Sequence, residues 1–494
     1  MMRRYSSIII ASNNMTGPQP VCGREEIMAK ELGKDSMGIQ KTMWARDYFS
    51  DGIGQLPLNA MSCLIGQLTY FYTQKIGLAA ASAATMLIIA KVLDAFSDLL
   101  MGKIMDTCHF KDGKCRPWFR IMAIPMAIAM ILLFTIPKGI SAGAQNAYVL
   151  ITNTLASAVV YTAVAIPYGA LMAVRTESAE ERGKMGIARA IFGYVVGMFI
   201  AILLIPVTNA LGGDQAAWVE VVVVLAALSF LAMIVLYHGS KENVAVKSSS
   251  DEDGMSFAKE IGLLFQNKYW VLMLIANLFV NISYGISSSG GTYYAKYILG
   301  NDNIVALLGL AGLIPTFAGF ILVGPMAKKF GMAKTCFIGC LIGVAGCFYR
   351  VFTPYSLVSC IIGGSLSTFA TIPIMCLSGA LVNNSVEYNE WKFQHRMVGM
   401  SNSASSFGAK IGSGIGGSLI GWILGACGFI SGGEASVQPT AVNGGIFAFS
   451  IYIPMILLAI LAVIFRFYDL EKIYPKIVAE LKERRGAEET QNAQ

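Results

Sequence analysis

Twelve times between residues 52 and 468 the chain turns apolar for about the length that crosses a bilayer. The runs cover about 52–74, 79–104, 117–137, 146–173, 186–210, 216–238, 269–297, 303–327, 333–350, 356–383, 397–430 and 444–468. A helix rising 1.5 Å per residue needs about 20 residues to span ~30 Å of hydrocarbon. Charged residues make up only 14% of the chain, against about 25% in a soluble domain. The 51 glycines suit helices that pack closely in lipid. The expected fold is an all-α integral membrane protein of twelve transmembrane helices.

The longest polar connection, 239–267, divides these segments six and six. The expected units are an N-terminal extension (1–45), a six-helix bundle (46–238), the linker, a second bundle (268–470) and a tail (471–494). Within the linker, SSSDEDG has the composition of a flexible connection, and FAKEIGLLF can form an amphipathic helix. The loop GKIMDTCHFKDGKCRPW after segment 2 has a counterpart, GPMAKKFGMAKT, after segment 8. Short cytoplasmic loops tend to be basic in any case; the six-plus-six split strengthens their reading as a repeat. Repeated halves with a site near the midplane are the architecture of many secondary transporters.

Loop charge sets the orientation. Connections after the even-numbered segments carry 18 Lys and Arg, those after the odd-numbered ones 4. The positive-inside rule then places both termini in the cytoplasm, with the chain multi-pass in the cell membrane. The net charge of +7 follows from this bias. No basic patch on a soluble domain invites nucleic acid. The start, MMRRYSSIIIAS, has too short an apolar core for a signal peptide. Residues 1–45 read as a disordered cytoplasmic extension, or as a start taken too early, with Met15 and Met28 as alternatives.

Enzyme signatures are sparse. The ten cysteines form no CxxC pair, and His109, His238 and His395 have no HExxH spacing. Neither a GxxxxGK[ST] phosphate loop nor a GxSxG elbow occurs. The reading is no enzyme and no cofactor, with any uphill work drawn from an ion gradient.

Segment 2, LIIAKVLDAFSDLLMGKIMD, holds Lys91, Asp94 and Asp98. Each costs roughly 2.5–3.5 kcal/mol at a bilayer centre. The two aspartates are four apart, on one helix face and about 6 Å apart along the axis. Both cannot stay ionised in a low-dielectric site unless a cation lies between them or one keeps its proton. Either arrangement makes a coupling site for Na⁺ or H⁺. The plainer alternative is an internal ion pair with Lys91, which accounts for one carboxylate and leaves the other. Ser97 and Thr162 could add neutral oxygens, which a hard cation prefers.

KVLDAFSDLLMGKIMD…GKCRPW resembles the segment 2 signature of the glycoside–pentoside–hexuronide:cation symporters, the group that includes melibiose permease. AIPYGALMAVRTESAEERGKMGIAR (165–189), LVNNSVEYNEWK (381–392) and FGAKIGSGIGGSLIGWIL (407–424) agree with it in order and spacing. The resemblance covers about residues 45 to 470. It implies a major-facilitator fold, a small-molecule sugar substrate and a monovalent coupling cation; a monomer in the bilayer is the expected working unit.

Carried over by position, Asp94 and Asp98 match the family's cation-binding carboxylates, Thr162 a hydroxyl ligand, and Ser97 an asparagine. Arg189 and Lys410 match basic positions near the sugar and cation sites, although Arg189 could equally be a loop charge. Arg182, Glu387, Glu390, Lys392 and Arg396 resemble a charged cytoplasmic gate, or an ordinary solvated loop. Two galactoside-gripping aspartates of melibiose permease are replaced, one by Leu58 or Asn59 and one by Ala165; Asn384 replaces a third family aspartate. Gln55, Asn59, Tyr161, Asn277, Asn281, Tyr284 and Ser406 are then neutral candidates to line the pocket. Arg189 and Lys410, unpaired near the midplane, each need a carboxylate partner: the pair Asp94 and Asp98, or an anionic substrate such as a hexuronide.

Overall fold

A computed structural model describes residues 32–34, 39–108, 110, 112–137, 139–176, 178–243, 257–394 and 398–492. The short α1 (Ala45–Gly52) precedes α2 (Gln55–Phe71), which continues through a π turn at Tyr72–Ile76. Then come α3 (Ala80–Thr107), α4 (Arg116–Phe134), and a rod formed by α5 (Ala142–Thr154), a π turn (Leu155–Tyr161) and α6 (Thr162–Arg175). Helices α7 (Ala179–Ala210) and α8 (Gln215–Gly239) close the first half.

After α9 (Phe257–Gln266), at the end of the linker, the second half holds α10 (Lys268–Tyr297), α11 (Ile304–Phe330), α12 (Met332–Phe352) and α13 (Leu357–Phe393). It continues with α14 (Val398–Ala426), α15 (Thr440–Phe447), a π turn at Ala448–Tyr452 and α16 (Ile453–Phe467). A tail helix, α17 (Leu470–Asn492), follows.

All twelve predicted segments are helical. Nine spans among the described residues are long and apolar enough to cross a membrane. The three segments that fall short are α2, α3 and α14. The first carries Gln55, Asn59 and Gln67, the second Lys91, Asp94, Asp98 and Lys103, and the third is rich in serine and glycine. All three put residues on the central cavity, as do the α5–α6 rod, α7 and α10.

The halves pack as a swapped pair. The second membrane helix of the first half, α3, lies on the fifth of the second, α14; α7 lies on α11 in the reciprocal contact, and α2 meets α10. Two carboxylates repeat the same symmetry. Glu242, just after α8, accepts the Lys114, Cys115 and Arg116 N–H groups at the start of α4, at 2.7–2.8 Å. Glu471, just after α16, accepts the Met332 and Ala333 N–H groups at the start of α12, at 2.7 and 3.1 Å. Each meets backbone donors that a helix start leaves unpaired. These clamps hold the two loops whose sequences resemble each other.

Cross-half hydrogen bonds crowd at the end remote from the termini. Gln67 donates to the Ser288 carbonyl (2.6 Å), Tyr70 to Asp302 (2.7 Å) and Lys296 to Gln74 (2.6 Å). Asn209 also donates to Asp302, and Thr73 pairs with Tyr293.

One expectation changes at the N-terminal end. The extension is not free up to residue 45: the Thr42 and Met43 N–H groups donate to Glu181 at 2.9 and 2.8 Å, and Met43 is buried. Residues 1–31 and 35–38 lie outside the described residues. The tail packs against α13, where Tyr474 donates to Glu387 (2.7 Å) and Trp391 to Glu480 (2.6 Å).

Candidate functional site

Close helix approach builds the central cluster. A Cβ added at Gly414 on α14 would lie 2.8 Å from the Lys91 Cβ on α3, and one at Gly421 would lie 2.7 Å from the Ala84 Cβ. Glycines at these positions let the two backbones meet, as small residues do between membrane helices. One turn before Gly414, Lys410 then reaches across the halves. Its ammonium lies 2.9 Å from Asp94 Oδ1 and 2.7 Å from Asp98 Oδ2. Lys91 Nζ lies 3.2 Å from Asp94 Oδ2. Asp94 is 1% exposed and Asp98 22%.

Neutral oxygens complete the group. Thr162 Oγ1 sits 3.2 Å from Asp94 Oδ1 and 3.0 Å from Asp98 Oδ1. Ser97 Oγ lies 3.3 Å from Thr162 Oγ1 and donates to the Asp94 carbonyl at 2.8 Å. The π turn before Thr162 adds a residue to the helical turn, and Thr162 Oγ1 lies 3.3 Å from the Ser157 carbonyl, five residues back. Two carboxylates and two ammoniums thus meet with balanced charge. Such a group holds together when every member has a partner, and loses much when one is removed.

A cavity of about 450 Å³ opens between the halves against this cluster. Asp94, Lys91, Lys410, Tyr161, Asn281 and Tyr284 are on its wall. Most of the other polar residues there are Ser, Thr, Asn or Gln. The volume falls in the range of small-molecule sites.

Several predicted pocket residues stand elsewhere. Gln55 and Asn59 bond to each other (3.0 Å) beside Gly193 and Gly197, off the cavity wall. Ser406 is exposed, one turn from Lys410, and is also off the wall. Asn277 accepts from Asn281 through its carbonyl.

Arg189 needs a larger correction. It grips Asp51 with both ends of its guanidinium (2.7 and 2.8 Å), donates to the Tyr168 carbonyl and stacks 3.8 Å over the Tyr168 ring. Asp51 is 0% exposed. Arg189 therefore joins α1, α6 and α7 and does not face the cavity. For Lys410 the structure shows the first of the two expected partners: its ammonium meets the aspartates of α3. Sequence reading overlooked Asp51 because it precedes the first apolar run, although an acid at a helix entry was the available signal.

The predicted gate residues are spread over both halves. Arg182 is exposed on α7, Glu387 is held by Tyr474, and Lys392 lies over the Tyr388 and Phe393 rings at 5.7 and 5.2 Å. Glu390 lies near the end of α13, and Arg396 falls outside the described residues.

The family described as "MFS/sugar transport protein" matches residues 50–472. The chain belongs to this family. Its members are membrane transporters rather than enzymes, in keeping with the multi-pass helices seen here. The chain is 27% identical over 461 residues to the isoprimeverose transporter of Lactiplantibacillus pentosus, covering 91% of this chain and 94% of that one. It is 28% identical over 432 residues to the glucuronide carrier protein homolog of Escherichia coli K12, covering 85% and 92%. Among solved structures, a bacterial homologue of the human lysosomal transporter Spinster superposes with a TM-score of 0.64 at 13% identity, covering 87% and 97%. That likeness is one of fold: the major-facilitator arrangement.

Proposed function

We propose that the chain is a secondary active transporter that couples a Na⁺ or H⁺ gradient to the symport of a sugar or glycoside. The observation that carries this reading is the Lys410 ammonium between Asp94 and Asp98, on the wall of a cavity between the halves. A monovalent cation at that place would meet Asp94, Asp98, Ser97 and Thr162, an all-oxygen set suited to Na⁺. Cation and ammonium then compete for the same carboxylates. Binding of the ion frees Lys410, loosens the α3–α14 tie and exposes an ammonium to the substrate.

Charge counting extends the argument. The four-residue cluster is neutral, so an added cation makes it +1. A hexuronide restores neutrality, whereas a neutral glycoside leaves the positive charge facing the cavity. The names of the relatives, an isoprimeverose transporter and a glucuronide carrier homolog, support screening both classes. Loop charge supports cytoplasmic termini; in that orientation the cross-half bonds lie at the outer end, which supports an inward-facing state. One chain contains the whole proposed site, and a monomer suffices.

The test is uptake of radiolabelled glycosides, pentosides and hexuronides into vesicles, with Na⁺ and pH gradients imposed separately. Accumulation that follows one gradient and vanishes with an ionophore is expected. Uptake indifferent to both gradients would overturn the coupling. A second reading, a symporter or antiporter of a non-sugar organic acid, draws on the two cavity lysines; competition by simple carboxylates, with none by sugars, would favour it.

A further inference from the structure

The α5–α6 rod carries an amide that the cation cluster does not use. Asn153 is 1% exposed, and neither its Nδ2 nor its Oδ1 has a hydrogen-bond partner. Among the described residues it is the one side chain with both polar atoms buried and unpartnered. Exchanging the amide's two ends changes nothing, since both ends are orphans. Among the described residues it is also the one buried unpartnered side chain on the cavity wall, which it shares with Leu87, Lys91, Ser157 and Tyr161.

Buried amides left unpaired are rare in folded proteins and call for an explanation. Other amide and hydroxyl groups on the wall are engaged: Gln67 donates to the Ser288 carbonyl, Ser418 to the Ala84 carbonyl, and Ser413 to the Lys410 carbonyl. Asn153 stands nine residues before Thr162, roughly 13 Å along a helix axis. That is too far to share an ion with the carboxylates, and it lies toward the sealed end.

We infer that Asn153 is a substrate-binding residue, whose amide donates to one hydroxyl of a sugar ring and accepts from another at the deep end of the cavity. This rests on the symport reading and adds to it a specificity-determining contact. An amide offers one donor edge and one acceptor edge, which matches a pair of neighbouring ring hydroxyls. Being already desolvated and fixed, it gains a full complement of bonds only when the sugar arrives. A sugar lacking those hydroxyls leaves it orphaned, which is how a polar site rejects a deoxy analogue.

The experiment uses Asn153→Leu in the full chain, with isoprimeverose and methyl glucuronide as probes, followed by a deoxy series of whichever is accumulated. Expected are a KM for sugar raised at least tenfold, an unchanged half-saturating Na⁺ or H⁺ concentration, and a melting temperature in detergent no lower than the parent's. At least one deoxy analogue should bind the parent more weakly than the full sugar, yet bind Asn153→Leu equally well. An unchanged KM, or equal losses across the deoxy series in both proteins, would overturn the contact. A melting temperature lowered by several degrees would show that the amide serves the fold. If the parent accumulates neither probe by either gradient, the symport reading fails for these sugars. Equilibrium binding of the same two probes to the parent and Asn153→Leu in detergent then tests the contact: equal affinity, or no binding to either protein, overturns it.

Discussion

Lys410 on α14 places its ammonium 2.7 Å from Asp98 and 2.9 Å from Asp94 on α3, so a single side chain ties the two halves at the cavity wall. Asp94 is the more deeply buried acid and meets both lysines, whereas Asp98 keeps contact with water. The pair is unequal, and its two members should fail differently.

Asp94→Asn and Asp98→Asn should each abolish accumulation against a gradient, because an amide cannot supply the charge a cation neutralises. Asp94→Asn should also cost about 3–5 kcal/mol of stability, the usual loss when one partner of a buried pair is removed. Asp98→Asn should cost less. Thermal unfolding beside uptake checks both; equal melting temperatures for the two variants would contradict the burial argument.

Lys410→Gln removes the built-in competitor for the cation site. Half-saturation by the coupling cation should shift by a measurable factor, and the α3–α14 tie should weaken. The double variant Lys410→Gln, Asp98→Asn should be more stable than Asp98→Asn alone, since it leaves Asp94 balanced by Lys91 with no surplus ammonium. Cation titration of sugar binding and a melting series provide the readouts.

Arg189→Gln strands Asp51 as an unpaired carboxylate, at a cost of roughly 3–5 kcal/mol. Asp51→Asn in the same chain should restore much of that loss. Selectivity between glycosides and hexuronides should not change in the protein that folds. A switch in substrate preference without destabilisation would return Arg189 to the pocket.

Gly414→Val would set side-chain atoms against Lys91, because even a Cβ there lies within 2.8 Å of it. The expected result is α14 displaced from α3 and coupling lost. Gly417, with no neighbour within 4 Å of a built Cβ, should tolerate alanine with little change in uptake. Equal uptake by the two variants would mean that the close approach is dispensable.

Topology is checked with single cysteines in a background freed of reactive ones. A cysteine at Glu434, near the sealed end, should react with an impermeant reagent in intact cells. One at Lys476, which is 73% exposed on α17, should be protected. The opposite pattern would reverse the orientation drawn from loop charge.

The sequence by itself determined an all-helical membrane chain, the places of its apolar helical segments, nine of which among the described residues are long and apolar enough to span a bilayer, and an acidic pair on one face of the second. Each of these is written in local periodicity and in the cost of lipid burial, which neighbouring residues impose on one another. Only the tertiary structure decided which charges meet. Asp51 and Arg189 are 138 residues apart and Lys410 and Asp94 are 316 apart, so spacing along the chain could not pair them. The same limit explains why Arg189 reads like a pocket residue, and why the orphaned amide of Asn153 is visible only once its neighbours are in place. Burial in lipid is a property of a segment, while partnership in a low-dielectric core is a property of the packed halves.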